Sequence, residues 1–283
     1  MSRITTAIAL MLFLLVATAD ARMESDSREV DAEGAQQIET SIDFAAGEIY
    51  IMPKDMDQAA ILNIEYNPRR VDYEVSYRLK GKTGLLDLES VHRRNRDVDS
   101  EDNSWELLLS TRYPQTLELD VGACDADFEL GGIPITDVNL DVGAASGTIR
   151  FSEVNPEKLE FFSIDAGAAS VEIKDIGNSR FEVMDFDGGA GAFELDFRGD
   201  AYEGDAEVTI DVGMGSCDII IPRGLGVEVE TDGDGWLSSI DFHGTGWKEV
   251  DDDLWQTKSY EGAEATVTFN ISVGMGSVDF YIK

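Results

Sequence analysis

Apolar and polar residues alternate along most of the chain, and one small-residue motif interrupts the alternation repeatedly. The motif is an apolar-x-apolar run, an Asp, one further residue, a Gly, a few small residues and a second apolar-x-apolar run. Alternation with a period of two is typical of β-strands, whose side chains point to opposite faces in turn. The motif therefore predicts strands that meet at tight bends, in copies that begin at Leu117, Val138, Phe162, Met184, Val208 and Phe269, with a looser copy at Thr40.

The first five copies recur at a nearly constant spacing. Counted on their aspartates, they stand 21 to 24 residues apart, at Asp120, Asp141, Asp165, Asp187 and Asp211. Self-similarity at that period indicates a repeat architecture. We expect an all-β fold in which residues 115–283 form a stacked β-repeat, β-solenoid-like with about 21–24 residues per coil. An antiparallel β-sandwich of stacked hairpins is the alternative.

The residues before the repeats have longer alternating strands, such as "VDYEVSYRL" from Val71, separated by the turn-like runs "YNPRR" and "KGKTG". Residues 22–114 are therefore predicted to form a small β-domain that caps the repeats. Basic residues concentrate there, at Arg69, Arg70, Arg78, Lys80, Lys82, Arg93, Arg94 and Arg96.

Within each repeat the parity predicts which residues face the core. Columns such as Leu117, Leu119 and Val121 face inward, and the aspartate of each copy faces outward. The bend glycines share one position, where a positive φ or a close backbone approach would exclude a Cβ. For the aspartates we expect each carboxylate to accept hydrogen bonds from backbone amides two residues on, as in an Asx-turn. A bound cation is the alternative.

Residues 1–21 are predicted to be a signal peptide. Arg3 provides a positive start, "AIALMLFLLVA" is a short apolar run, and small residues offer cleavage after Ala19 or Ala21. A retained N-terminal anchor is the alternative. No later stretch is long and apolar enough for a transmembrane helix, so we expect a secreted or periplasmic protein.

Charge narrows the range of partners. The chain has 57 acidic and 22 basic residues and a net charge of -35. Nucleic acid and anionic lipid would be repelled, so neither is expected as a partner. The acidity itself is explained by solubility or by a saline habitat.

Catalytic interpretations of the small-residue loops fail because the loops repeat. A nucleotide-binding loop opens a helix, whereas each of these loops leads into another strand. "KGKTG" lacks the first glycine of a phosphate loop, because position 76 is Ser. The only histidines, His92 and His243, are paired with no nucleophile or metal-ligand set. We expect no enzyme activity.

The run "NSWELLLSTRYPQTLELDVGACDADFELGG", with the later "DVGAAS" and "DVGMGS", resembles the toast-rack family. These are extracytoplasmic β-repeat proteins similar to the C-terminal domain of the LiaF cell-wall-active antibiotic response proteins and to "putative adhesin" domains. The resemblance implies an all-β fold at the cell envelope and provides no catalytic residues. LiaF-type proteins carry several membrane helices before this domain, and here only the predicted signal peptide precedes it.

Three classes of function remain. The first is a noncatalytic envelope or surface module whose acidic β-sheet faces bind an envelope protein or a cell-surface polymer. The second is a β-helical carbohydrate-active enzyme, with a carboxylate pair and a stacking platform of Trp236, Trp247 and Trp255. The third is a calcium-binding surface protein, because the stretch from Glu230 has the ligand spacing of an EF-hand loop, with Gly235 at the sixth position and acids at Glu230, Asp232, Asp234 and Asp241. The flanks of that stretch read as strand, which favours a simple turn.

Two further expectations concern the cysteines and the last strand. Cys124 and Cys217 lie four repeats apart, about 19 Å at about 4.8 Å per strand, which is too far for a disulfide, so both are predicted to be free thiols. Cys217 shares the inward column of Val171 and Val278. The final strand, "SVDFYIK", is expected to be covered by the insertion at 236–261 or to support self-association through its free edge.

Overall fold

The computed structural model describes residues 23–93, 102–232 and 237–283, and this part of the chain is almost entirely β-structure. One 3-10 turn spans Ile176–Ser179. The strands are β1 (Glu24–Asp31), β2 (Gln37–Lys54), β3 (Gln58–Tyr66), β4 (Val71–Lys80), β5 (Thr83–His92), β6 (Asn103–Ser110), β7 (Gln115–Glu129), β8 (Ile135–Val142), β9 (Ser146–Arg150), β10 (Leu159–Ala166), β11 (Ser170–Lys174), β12 (Phe181–Asp196), β13 (Asp205–Ile221), β14 (Gly226–Thr231), β15 (Ser238–His243), β16 (Trp247–Asp251), β17 (Leu254–Thr257) and β18 (Thr266–Ile282).

The strands form two ladders that share their longest members. The first sheet has the order β4-β5-β2-β7-β8-β10-β12-β13-β18-β14-β17-β16, and the second has the order β1-β3-β6-β2-β7-β9-β11-β12-β13-β18-β15. Strands β2, β7, β12, β13 and β18 run through the bend, so their first halves belong to the first sheet and their second halves to the second. Pairs between successive repeats are parallel.

Six of these parallel strands, β7, β8, β10, β12, β11 and β9, close into a barrel, and the other strands lie outside it. The prediction of a β-solenoid-like stack is therefore wrong, and so is the antiparallel sandwich alternative. Closure occurs because β7 and β12 are continuous through the bend, so β7 pairs with both β8 and β9, and β12 pairs with both β10 and β11. The hydrophobic alternation reports which face a residue occupies, and it does not report whether a strand breaks at the bend.

The core lies between the two sheets, and the predicted inward columns form most of it. Leu117, Leu119 and Val121 are buried, as are Val208, Ile210 and Val212. Ala126 and Ile282 are only half-buried. Several large rings are fully enclosed, and each contributes roughly 1.5–3 kcal/mol by leaving water; they include Phe128, Phe151, Phe162, Phe186, Phe197, Phe269 and Phe280.

Close backbone approach explains the glycines at the bend. A Cβ at position 213 would lie 2.7 Å from the carbonyl oxygen of Gly189, and a Cβ at position 274 would lie 2.7 Å from that of Gly213. Neither residue has a positive φ. Of the two reasons predicted for this column, the close approach is therefore the operative one.

Buried asparagine side chains hold the loops on the side of the repeats opposite the bend. The Asn155 amide nitrogen donates to the carbonyl oxygens of Ile135 and Ser179, at 2.8 and 3.2 Å. Its side-chain oxygen accepts from the backbone N–H of Ile135 at 3.0 Å. Because one side chain contacts the loops of both neighbouring repeats, Asn155 fixes their separation.

The final strand is covered at its edge. β14 pairs with the first half of β18, and β15 pairs with the second half. β15 lies within the insertion at 236–261, so the predicted coverage of the edge "SVDFYIK" by that insertion is confirmed. The division into two domains after residue 114 stays a prediction, because β2 contributes to both sheets beside β7.

Across the three described ranges, no helix has the length and apolar character needed to cross a membrane.

Candidate functional site

The first sheet carries a row of aspartates on its outward face, directly before the bend. Parallel register aligns Asp120 with Asp141, then Asp165, Asp187 and Asp211, and Asp43 extends the row on the side of β2. All of them are exposed. We call these six residues the first acidic row.

The carboxylates of the first acidic row have no hydrogen-bond or ion-pair partner within the described residues. The predicted Asx-turn does not form, because the amides two residues on are already used between repeats. The N–H of Gly143 donates to Val121 at 2.9 Å, and that of Gly167 donates to Val142 at 2.8 Å.

Two members of this row, Asp141 and Asp187, have a raised pKa. Partial desolvation, with repulsion from the carboxylates on either side, raises the pKa of Asp141 and of Asp187 above the ordinary value. The charged forms of these two groups are therefore disfavoured by the fold.

The second sheet carries another acidic row, two residues beyond a row of small side chains. The second acidic row consists of Asp127, Glu172, Glu194, Asp218, Asp279 and Asp241, with Thr148 between the first two. Desolvation, followed by repulsion from Asp279, raises the pKa of Asp218. The parallel register of the repeats therefore produces two separate lines of negative charge.

A groove of about 610 Å³ runs across the strands of the second sheet between these side chains. Small residues, Ser146, Ser170, Ala192 and Ser216, form one wall, and they are aligned by the same register. Asp127, Glu172, Glu194 and Asp218 form the other wall, and Tyr50 lies at the β2 end. The groove forms because the side chains of the serine row are short and those of the neighbouring carboxylate row are longer.

Two basic residues pair with carboxylates of the groove from its outer side. Arg150 pairs with Asp127 at 3.1 Å, and Lys174 pairs with Glu172 at 2.9 Å. Within the described residues, Glu194 and Asp218 have no ion pair. Negative charge at the β12 and β13 end of the groove is therefore not neutralised by direct pairing, and only the more distant charges of Lys283 and His243 oppose the rise in the pKa of Asp218.

The residues predicted to bind calcium are separated by the fold. Glu230 lies near the end of β14, and Asp232 follows that strand. Both residues line a shallow pocket of about 380 Å³ with Asp211, Asn270 and Ser272. Asp241 lies in β15, in the second sheet, opposite Asp279. Asp234 and Gly235 lie outside the described residues. No grouping of three or more metal-binding side chains occurs in the part of the chain described, and the calcium loop stays a prediction.

The aromatic residues proposed as a sugar platform pack against the protein. The Trp255 ring stacks on Phe242, with centroids 4.5 Å apart, and Trp247 meets Phe242 and Phe280 edge-on. Trp236 lies outside the described residues. His243 approaches Asp279 at 2.6 Å and stacks on Tyr281, and nothing is described of the His92 side chain.

Cys124 and Cys217 are both free and buried, as predicted. Cys217 pairs in register with Phe193 and Val278, in the inward column expected for it. Burial raises the pKa of the Cys124 thiol to about 11, and it raises that of Cys217 further. Neither thiol is activated as a nucleophile, because the thiolate is the reactive form.

The alignment of serines with carboxylates was missed in the sequence, and so was Tyr50. The signal was present, because serine occupies the same place in "GAAS", "GMGS" and a second "GMGS". Interpreting it requires the parallel register, which places equivalent residues of successive repeats side by side. The early copy that contains Tyr50 matches the others too loosely to reveal that it joins the same row.

The family model described as "N-terminal domain of toast_rack, DUF2154" matches residues 18–174, more than half of the chain. The chain therefore belongs to the toast-rack family, and the resemblance noted in the sequence is confirmed. No curated protein matches the chain.

Solved structures provide a comparison of fold. A "putative cell adhesion protein" from Clostridium sporogenes is 16% identical with a TM-score of 0.50, over 93% of this chain and 100% of its own. A "putative adhesin" from Bacteroides fragilis is 12% identical with a TM-score of 0.40, over 93% and 98% of the two chains. The likeness to the first of these structures describes a similar fold and leaves function open.

Proposed function

We propose that the chain is an exported, noncatalytic surface module whose acidic sheet faces bind an envelope protein or a cell-wall polymer. The observation that carries this proposal is the in-register alignment of carboxylates into two outward rows. Such rows lie open on the sheet faces, where a macromolecular surface can reach many of them at once. The fold similarity to a "putative cell adhesion protein" supports the same conclusion.

Export is part of the proposal and rests on residues 1–21, which lie outside the described residues. The full chain expressed in its source cells should lose its first 19 or 21 residues and become accessible to protease in intact or osmotically shocked cells. The new N-terminus, read by mass spectrometry, distinguishes cleavage from a retained anchor. Accumulation of the uncleaved chain in the cytoplasm would exclude the proposal.

Binding is tested by sedimentation of the mature chain with isolated peptidoglycan and with envelope fragments that retain their proteins. Electrostatic attachment should be strong at about 20 mM salt and mostly lost at about 500 mM, because the Debye length falls from about 20 Å to about 4 Å. Loss of binding after protease treatment of the fragments would assign the partner as protein. Binding that does not respond to salt would contradict attachment through the acidic faces.

Calcium binding by the stretch from Glu230 is a second candidate; Glu230 and Asp232 line a pocket with Asp211 and Asn270, although the described residues hold no group of three metal-binding side chains. Calcium takes six to eight oxygen ligands, and these side chains present oxygens from three strands. Calcium at millimolar concentration should raise Tm, and Asp232→Asn should remove the rise while Asp241→Asn should not. An equal rise in both variants would mean that calcium screens surface charge without occupying this pocket.

A further inference from the structure

The groove of the second sheet has the dimensions of an extended chain. Tyr50 at one end and Asp218 at the other lie on strands β2 and β13, which are separated by five strand steps through β7, β9, β11 and β12. At about 4.8 Å per step this is about 24 Å, the length of about seven extended residues. The two walls stand two residues apart on each strand, about 7 Å, which admits one peptide strand.

The charge of the groove selects the occupant. Its lining has five carboxylates, Asp125, Asp127, Glu172, Glu194 and Asp218, and no Lys, Arg or His. Arg150 and Lys174 neutralise two of these from outside the groove. The three remaining carboxylates have no ion pair among the described residues, although Lys283 and His243 act on Asp218 from a distance. A cationic occupant is therefore favoured over an anionic one.

Tyr50 is an independent observation that indicates a cation. The residue is 37% exposed at the end of the groove, although an aromatic residue of that size is ordinarily buried further. Its hydroxyl donates to Glu48 at 3.3 Å. Desolvation, with the nearby charges of Glu48, Asp127 and Asp125, raises the pKa of Tyr50. An exposed aromatic face with carboxylates beside it binds Lys or Arg head groups through cation–π attraction.

We propose that this groove binds an extended peptide segment with basic side chains at alternate positions, one of them over Tyr50 and others beside Glu194 and Asp218. Alternate residues of an extended peptide face the same side and lie about 7 Å apart. A seven-residue segment therefore directs about four side chains into the groove. The inference rests on the proposed function in one respect, that the acidic faces bind protein.

The test measures binding of a fluorescent eight-residue peptide of alternating Lys and Ser to the mature chain by anisotropy at about 50 mM salt. The double substitution Glu194→Gln with Asp218→Asn should weaken binding by about tenfold or more. The matched control, Asp165→Asn with Asp187→Asn, removes the same charge from the first acidic row and should change Kd by less than about twofold. Equal weakening by both pairs would overturn the groove, because binding would then follow net charge alone.

Filling the groove without changing charge provides the second arm. Ser170→Phe should block the peptide, whereas Ser163→Phe, on the outward face of the first sheet, should not. Tyr50→Leu should weaken the peptide more than Tyr50→Phe, which keeps the aromatic face. Melting curves confirm that each variant is folded. Unchanged binding in Ser170→Phe would overturn the proposal.

Failure of the peptide groove and failure of the proposed function give different experimental results. Envelope fragments that still bind the Glu194→Gln, Asp218→Asn variant at full strength would contradict the groove and leave the surface module intact. Peptide binding that depends on the groove, in a chain that never leaves the cytoplasm, would contradict the module and leave the groove intact.

Discussion

The two outward faces of the repeats differ although the same register builds both. On the first sheet, identical carboxylates repeat without partners, and the pockets beside Asp43 and Asp211 are smaller, about 250 and 380 Å³. On the second sheet, the carboxylates stand beside a line of small side chains, and a groove of about 610 Å³ results. A row of charge therefore borders a groove of this size where the adjoining row is small.

The faces also differ in how their charge is compensated. Arg150 and Lys174 pair with members of the second acidic row, and no basic residue pairs with the first within the described residues. The first acidic row should therefore lower the free energy of unfolding, and the second acidic row should lower it by less. Each prediction below tests that contrast or the bend that holds the two faces together.

The bend itself should show the largest effect. Gly215 has a φ of +141°, and a Cβ there would lie 1.9 Å from the carbonyl oxygen of Gly191. Gly215→Ala should therefore lower the free energy of unfolding by about 3 kcal/mol or more, because backbone must move in both sheets. Urea unfolding measures the loss.

Gly244→Ala is the matched control for this substitution. Gly244 also has a positive φ, +101°, with no heavy atom within 4 Å of the added Cβ. Its cost should be about 1 kcal/mol, that of the backbone conformation alone. Equal losses at positions 215 and 244 would show that close approach at the bend is unimportant.

A moderate fall in pH below neutrality should stabilise the protein. The folded-state pKa values of Asp141, Asp187 and Asp218 are raised, so the folded protein binds more protons than the unfolded chain between the two pKa values. Stability therefore rises as pH falls from neutrality towards the ordinary Asp pKa of about 3.9. Tm should increase by a few degrees, as measured by calorimetry at low salt.

Below that range, a further fall in pH should lower the stability of the protein. Hydrogen bonds from Tyr73 and Arg28 lower the pKa of Asp26, and Arg112 lowers that of Asp55. Their contributions are present above the unfolded pKa and are lost as pH falls through the folded one. The variant Asp141→Asn with Asp187→Asn should flatten the rise and keep the fall. A Tm that only declines from pH 7 downward would contradict the unfavourable first row.

Single substitutions should show the smallest effects and separate the two rows. Asp187→Asn should stabilise by about 0.5 kcal/mol at low salt, because it removes repulsion from Asp165 and Asp211. Asp187→Ala should do the same, since no hydrogen bond is lost. Glu172→Gln should be neutral or slightly destabilising, because it removes the pair with Lys174. Stabilisation of equal size at positions 172 and 187 would remove the distinction between the rows.

Much of the local structure could be predicted from the sequence. Parity identified the inward columns at Leu117 and Val208, the repeat spacing identified the outward aspartates, and the separation of Cys124 from Cys217 predicted free thiols. The inward columns and the outward aspartates depend on the alternation within one strand and on the repeat spacing, which can be read without knowing which strands pair. The prediction of free thiols needed one further assumption, that successive repeats lie side by side in chain order.

Features that depend on pairing were predicted wrongly or missed. The Asx-turn at Asp141 fails because the amide of Gly143 is used by Val121 in the preceding repeat. The role of Asn155 depends on two loops that lie 20 and 24 residues away. Barrel closure depends on β7 and β12 continuing through the bend.

The sequence by itself determined an all-β chain of the toast-rack family, with its apolar columns inside and its carboxylates outside, because side-chain direction in a strand follows from a period of two. Only the tertiary structure decided that β7 and β12 close a barrel, that serines and carboxylates of different repeats form one groove, and that Tyr50 lies at its end. Parallel pairing sets which residues of distant repeats become neighbours. Because this pairing is made by backbone hydrogen bonds between strands, it cannot be read from the sequence of any single repeat.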